Sequence, residues 1–176
     1  MTPRKPSIPF EPCQNDSMIG EHSYRAHLTW TGNRGTGTSD YRAYDRDITV
    51  NIEGKPEVLG SSDRPFRGNP ERWNPEDHLL TALAECHLLS YLHVAVTVGV
   101  VVTAYTDDAR GTMHEDGRGG GAFTEVVLRP IVTVADAEMV DAAYAAHARA
   151  NQLCFIANSV NFPVRHEPVI RVAGAI

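Results

Sequence analysis

The feature that most constrains this chain is a helix start. Asn74-Pro75-Glu76-Asp77 supplies an N-cap side chain, a proline at the first helical position and two acids in the first turn. Leu79, Leu80, Leu83, Cys86, His87 and Ser90 follow at three- and four-residue steps. The spacing predicts a long helix running to about Val98, with Gly99 as its C-cap and Cys86 on or beside the buried stripe.

Strand signals surround this helix. His22 to Trp30 alternates loosely and ends at the turn Thr31-Gly32-Asn33. Tyr41 to Ile52 is strand-like and closes at Gly54-Lys55-Pro56, and a long polar loop then runs from Gly60 to Trp73. Beyond the helix, Val100 to Thr106 is β-branched and aromatic, hence a strand. A glycine-rich hairpin loop spans His114 to Gly121, and Phe123 to Val134 returns with a kink at Pro130. Asp136 is positioned to cap a second helix that carries His147 and Cys154 and ends at Asn158-Ser159. A last strand, broken by Pro163 and Pro168, covers Phe162 to Val172. This order predicts an α+β fold, with an antiparallel sheet and helices on one face.

The chain has 176 residues, which favours a single domain over 21–176 preceded by an irregular proline-rich arm over 1–20. A net charge of -6 gives no footprint for nucleic acid or for an anionic membrane surface. The greasiest stretch, Leu88 to Ala104, is interrupted by Ser90, His93, Thr97, Gly99 and Thr103, so no spanning helix is expected. The N-terminus has no long apolar run of the signal-peptide kind, and the expected location is the cytoplasm.

Three cysteines, Cys13, Cys86 and Cys154, are too few and too scattered for a secreted disulfide scaffold. Each predicted helix carries one, and taken singly both read as core cysteines. Cys86 differs in being flanked by Glu85 and His87, and the preceding loop holds Arg64, Arg67 and Arg72. A guanidinium folded over the helix would stabilise a thiolate, and a carboxylate would hold that guanidinium by a bidentate pair.

The segment from Asn74 to His87 resembles the signature of the OsmC-like and organic hydroperoxide resistance proteins. In that family an Asn-Pro-Glu opens a long central helix, with the reactive cysteine ten residues past the glutamate. Cys86 stands ten residues after Glu76, and Cys154 occupies the family's second cysteine position, shortly before the terminal strand. The likeness spans about His22 to Val172.

The resemblance implies an intertwined homodimer with antiparallel sheets packed on two long central helices. It implies a peroxidase for alkyl or lipid hydroperoxides. Cys86 would form a sulfenic acid, Cys154 would close a disulfide with it, and an external dithiol, of lipoyl type for instance, would restore both thiols. No cofactor or metal is called for. Glu76 would pair with an arginine: Arg67 by one branch's spacing, with Arg64 behind it, or Arg34 by the other branch, where Gly32-Asn33-Arg34 resembles a Gly-Gly-Arg turn.

The chain departs from the family in placing Glu85 and His87 beside the thiol. An acid facing the sulfur would raise its pKa, and a protonated His87 would lower it. Two other readings stay open on the residues alone. One is a non-enzymatic stress or small-ligand-binding protein on the same scaffold. The other is a Cys/His metal or hydrolytic site built from Cys86, His87, His147 and Cys154, which lacks the usual ligand spacing. Cys13 matches no family position and reads as a non-catalytic thiol.

Overall fold

A computed structural model describes residues 20–174. Apart from Gly20, the arm expected over 1–20 lies outside the described residues, and so does Cys13.

The first three strands, β1 (His27–Trp30), β2 (Ile48–Asn51) and β3 (Val58–Gly60), form an antiparallel meander. The sequence reading anticipates the first two at greater length and misses the third, whose three residues are too short for an alternation to register. Gly32 sits where the chain folds back: a Cβ there would lie 1.9 Å from the Asp45 carbonyl oxygen, so only glycine fits the close approach.

The predicted long helix is α1 (Pro75–Thr97). Asn74 Oδ1 accepts from the Asp77 amide at 2.7 Å, and Asp77 Oδ2 accepts from the Asn74 amide at 3.2 Å. This reciprocal capping box, with Pro75 at the first turn, fixes where the helix begins. Contrary to the expectation of no spanning segment, α1 is long and apolar enough to cross a bilayer by length and composition, with a mean hydropathy of 1.5 over 18 residues. The polar interruptions that seemed decisive lie mostly in its last turns and beyond, so centring on Leu88 to Ala104 hides the apolar first half. In the fold, α1 is a core helix on one face and exposes Leu89, Leu92 and Val96 on another.

Three long ribbons follow, each broken once. They run as β4 (Val102–Asp107) into β5 (Arg110–Glu115), β6 (Gly121–Leu128) into β7 (Pro130–Val134), and β8 (Val164–His166) into β9 (Val169–Val172). One half of the bent sheet is β4-β7-β9 and the other is β5-β6-β8. The breaks align at Asp108-Ala109, Arg129 and Glu167-Pro168. They are stitched by Arg129 N–H to Asp107 Oδ1 (2.7 Å) and by Arg129 Nε–H to Glu167 Oε2 (3.1 Å). Pro130 and Pro168, lacking amide donors, mark the bend. The expectation of antiparallel sheets holds only in part: β6–β8 and β7–β9 pair in parallel, because the last ribbon returns after the α2 crossover rather than through a hairpin.

The second helix, α2 (Val140–Leu153), has 14 residues and is shorter than expected at both ends. Asp136 makes no side-chain cap and precedes a 3-10 turn, Ala137–Met139. Cys154 leaves the helix with ψ 106, and a second 3-10 turn, Ala157–Ser159, follows. The buried face of α2 is Ala143, Ala146, His147 and Ala150, and its three alanines let α1 approach closely.

The core has two parts under α1. Leu83, with Leu79, Leu80 and Ala84 beside it, packs on Val126, Leu128 and Phe123. Tyr91, Val94 and Ala95 pack on Val132, Val134 and the α2 alanines. The thiol and imidazole side chains lie along the α1–α2 seam.

Candidate active site

Cys86 projects from the middle of α1 and is half-buried, whereas Cys154, just past the end of α2, is fully buried. Both are free thiols. The fold brings them together across 68 positions of sequence. Burial pushes the Cys154 thiol up to about 11, and the neighbouring Cys86 thiol pushes in the same direction. The Ala157 amide donates to Cys154 Sγ at 3.4 Å and opposes that shift. Because α2 stops at Leu153, this amide is free of the helical ladder and available to the sulfur. The pair can therefore exchange a proton and, on two-electron oxidation, join.

The flanking residues turn away from the sulfur. Glu85 is exposed. His87 is buried against α2, where burial, together with the neighbouring His166 imidazole, lowers its pKa to about 4. It is thus neutral near pH 7 and supplies no charge to Cys86, which removes one of the two tuning effects considered from the sequence. Adjacent helical positions point about 100° apart, which is why three consecutive residues reach three environments.

The charged partners are placed as follows. Glu76, in the first turn of α1, has a buried Oε2 without a hydrogen bond. Arg67 is the one non-glycine residue with positive φ among those described (φ 65), is exposed, and lies 5.7 Å from the Tyr41 ring centroid. Arg34 is exposed and tied to its own turn, donating to the Ala43 and Arg42 carbonyls, with Asp45 at 3.7 Å. Arg64 caps the carbonyl end of no helix and stays exposed in the 3-10 turn Arg64–Phe66. Arg72 is half-buried in an ion pair with Asp47 at 3.2 Å, which fastens the start of α1 to β2. Among the described residues none of these guanidiniums pairs with Glu76 within the chain. An apolar groove lined by Trp30, Tyr44, Ile48 and Pro75 opens at the start of α1. It is roughly 16 Å along the helix from Cys86 at the usual rise per residue.

The sequence reading grouped His87 with His147 only as metal or hydrolytic residues and left out His166. His87, His147 and His166 come together from α1, α2 and β8, with ring centroids 5.3, 5.5 and 5.8 Å apart. The available signal was a single histidine on each otherwise apolar helical stripe. Cys86, His87, His147 and Cys154 do not assemble as metal ligands: among the described residues no group of three or more His, Cys, Asp or Glu is arranged to hold an ion.

Residues 68–168 match the OsmC-like protein family. Among solved structures, the chain is similar to an OsmC-like protein of unknown function from Vibrio cholerae. That match has 29% identity and a TM-score of 0.75, and covers 85% of this chain and 100% of that one. It shares its fold with an organic hydroperoxide resistance protein from Elizabethkingia anophelis (18% identity, TM-score 0.62, covering 86% and 99%). It also shares it with one from Legionella pneumophila (16% identity, TM-score 0.63, covering 86% and 98%). No curated protein matches the sequence. With more than half its length matched by the family model, the chain belongs to the OsmC-like family.

Proposed function

We propose that the protein is a thiol peroxidase for organic hydroperoxides, with Cys86 as the attacking sulfur and Cys154 as the resolving one. The observation that carries this reading is that two free thiols neighbour each other, Cys86 half-open on α1 and Cys154 buried just past the end of α2. The Cys86 thiolate attacks one peroxide oxygen. An S–O bond forms, the O–O bond breaks, and the alkoxide takes a proton to leave as alcohol. The Cys154 sulfur then attacks the Cys86 sulfenic sulfur. The S–S bond forms, and hydroxide leaves as water with the proton that Cys154 gives up. A dithiol reductant returns both cysteines by exchange and is itself oxidised to a disulfide.

A carboxylate oxygen buried without a partner is costly, by about 1–3 kcal/mol or more. We therefore assign the missing guanidinium at Glu76 to Arg67 or Arg34 in a homodimer. The exposed apolar side chains of α1 (Leu89, Leu92, Val96) and of the first sheet (Leu28, Trp30, Leu59) support a second copy as their cover. Sedimentation should give a dimer whose dissociation lowers peroxide reactivity, and a monomer with full activity would refute the assignment. Free thiols suit a reducing compartment, so we place the protein in the cytoplasm.

Mass spectrometry after one equivalent of cumene hydroperoxide tests the chemistry. Wild type should lose two thiols to a Cys86–Cys154 disulfide, and Cys154→Ser should accumulate a trappable sulfenate on Cys86. An unchanged thiol titre would instead support a binding protein on this scaffold.

A further inference from the structure

The α1–α2 seam holds a second polar pair that the redox chemistry does not use. His87 Nε2 and His147 Nδ1 lie 3.0 Å apart, and both residues are at most 1% exposed. Their planes are within 10° and their centroids 5.3 Å apart. The centroid separation exceeds the nitrogen separation by about the two ring radii, so the rings meet edge to edge through one N–H···N hydrogen bond. Two nitrogens on one tetrahedral zinc sit about 3.3 Å apart, with both lone pairs aimed at the ion off the line between them, and among the described residues no group of three or more ligands is arranged to hold one. The 3.0 Å contact therefore belongs to a shared proton.

A neutral imidazole carries one N–H, and this pair places one of its two between the rings. The outer nitrogens, His87 Nδ1 and His147 Nε2, are buried and have no partner. The rings packed against the pair are uncharged or share its sign on protonation. His166 from β8 lies alongside both rings, and Tyr91 from α1 stacks on His147 at 4.1 Å. Tyr105 from β4 stands behind Tyr91 at 5.8 Å, with Asp107 beyond it perturbing Tyr105. Cys86 and Cys154 are the neighbouring titratable groups of the two helices. Among the described residues no carboxylate forms an ion pair with any of the three imidazoles.

We propose that His87 and His147 form a neutral clasp across the α1–α2 seam, and that acid opens this clasp and loosens the hold of Cys86 on Cys154. Any oxidant that joins the thiols can read it, so the proposal does not rest on the peroxidase assignment. A proton added here enters a site with no paired carboxylate, and a second one sets N–H against N–H. Burial and the adjacent imidazoles lower His87 to about 4 and His147 to about 3, and burial lowers His166 as well.

In the opened chain these rings titrate near 6.5. The folded values are depressed, so the stabilisation is complete above that pH and drains away as pH falls from about 6.5 towards 4. At pH 5 about two protons enter on opening, and each raises the unfolding constant roughly tenfold per pH unit.

The test compares wild type with the double variant His87→Gln, His147→Asn. Glutamine puts an amide group where Nε2 stands and asparagine where Nδ1 stands, which keeps a neutral hydrogen bond that cannot titrate. Urea unfolding at pH 7, 6 and 5 should show the wild-type unfolding constant rising up to about a hundredfold more between pH 6 and 5 than the variant's. Closure of the Cys86–Cys154 disulfide by diamide, which accepts the two electrons and two protons released, should slow more steeply with acid in wild type than in the variant. Parallel pH profiles for the two proteins would overturn the proposal. Should the variant not fold, nitrogen-15 spectra of wild-type imidazoles decide. Two rings neutral and sharing one N–H down to the pH where native signals vanish support the clasp. Titration of either ring near pH 6.5 with native signals intact would overturn it.

Discussion

The same two helices build two polar pairs with opposite properties. The thiol pair uses Cys154 where α2 has just ended, and its partner Cys86 is half-open. The imidazole pair uses His147 inside α2 and His87 on the buried stripe of α1, closed on every side. The helix end makes the difference. Where α2 stops, a loop amide becomes free to bond a sulfur and the neighbouring thiol reaches the surface. Where α2 continues, all backbone groups are spent in the helix, the alanine face draws α1 in, and whatever sits there must stay uncharged. A half-open thiol pair and a closed imidazole pair thus lie side by side along one seam.

The sharpest way to separate the two pairs is to change one member of each. Cys86→Ser should abolish hydroperoxide consumption, measured by peroxide loss under saturating dithiol, while the urea midpoint moves little. His147→Ala should do the reverse. It deletes a buried ring and leaves His87 Nε2 without its partner, for a loss of about 3 kcal/mol in urea unfolding. A His147→Ala protein as stable as wild type would mean the imidazole pair holds nothing together. Tyr91→Phe is a gentler probe of the same closed half. The Tyr91 hydroxyl donates to the Ala143 carbonyl at 3.2 Å, and burial raises its pKa to about 12, keeping it a donor. Its removal should cost about 1 kcal/mol and leave peroxide turnover unchanged.

The open half was readable from the chain and the closed half was not. The start of α1 is written locally, in Asn74, Pro75 and Asp77, and the ten-residue step from Glu76 to Cys86 matches the family pattern. Cys154 follows because it stands before a terminal strand in a family pattern. The histidine trio depends on residues 60 and 19 positions apart meeting in three dimensions, and no local rule couples them. The parallel pairing of β8 and β9 escaped for the same reason, being decided by the route of the last ribbon over the sheet. β3 was too short to read, and α2 was overextended because the apolar pattern of Leu153, Phe155 and Ile156 outlasts the helix itself. The arginines show the limit of spacing: Arg67 lies by the Tyr41 ring and Arg34 by Asp45, and neither reaches the Glu76 carboxylate within one chain.

The smallest predicted effect tests whether the seam is held locally or by the whole of α1. Asn74→Ala removes the cap that satisfies the Asp77 amide, far from both pairs, and should cost about 1 kcal/mol of global stability. If the two pairs are anchored by their own contacts, diamide closure of the Cys86–Cys154 disulfide and the nitrogen-15 signature of the shared imidazole proton should both be unchanged at pH 7. A slower closure with an intact imidazole signal would show that fraying of the first turn travels along α1 to Cys86 and stops at His87. The boundary between the reactive and rigid halves would then lie between two consecutive residues. Loss of both signals together would instead make α1 a single lever, and the contrast between the halves would be one of exposure alone.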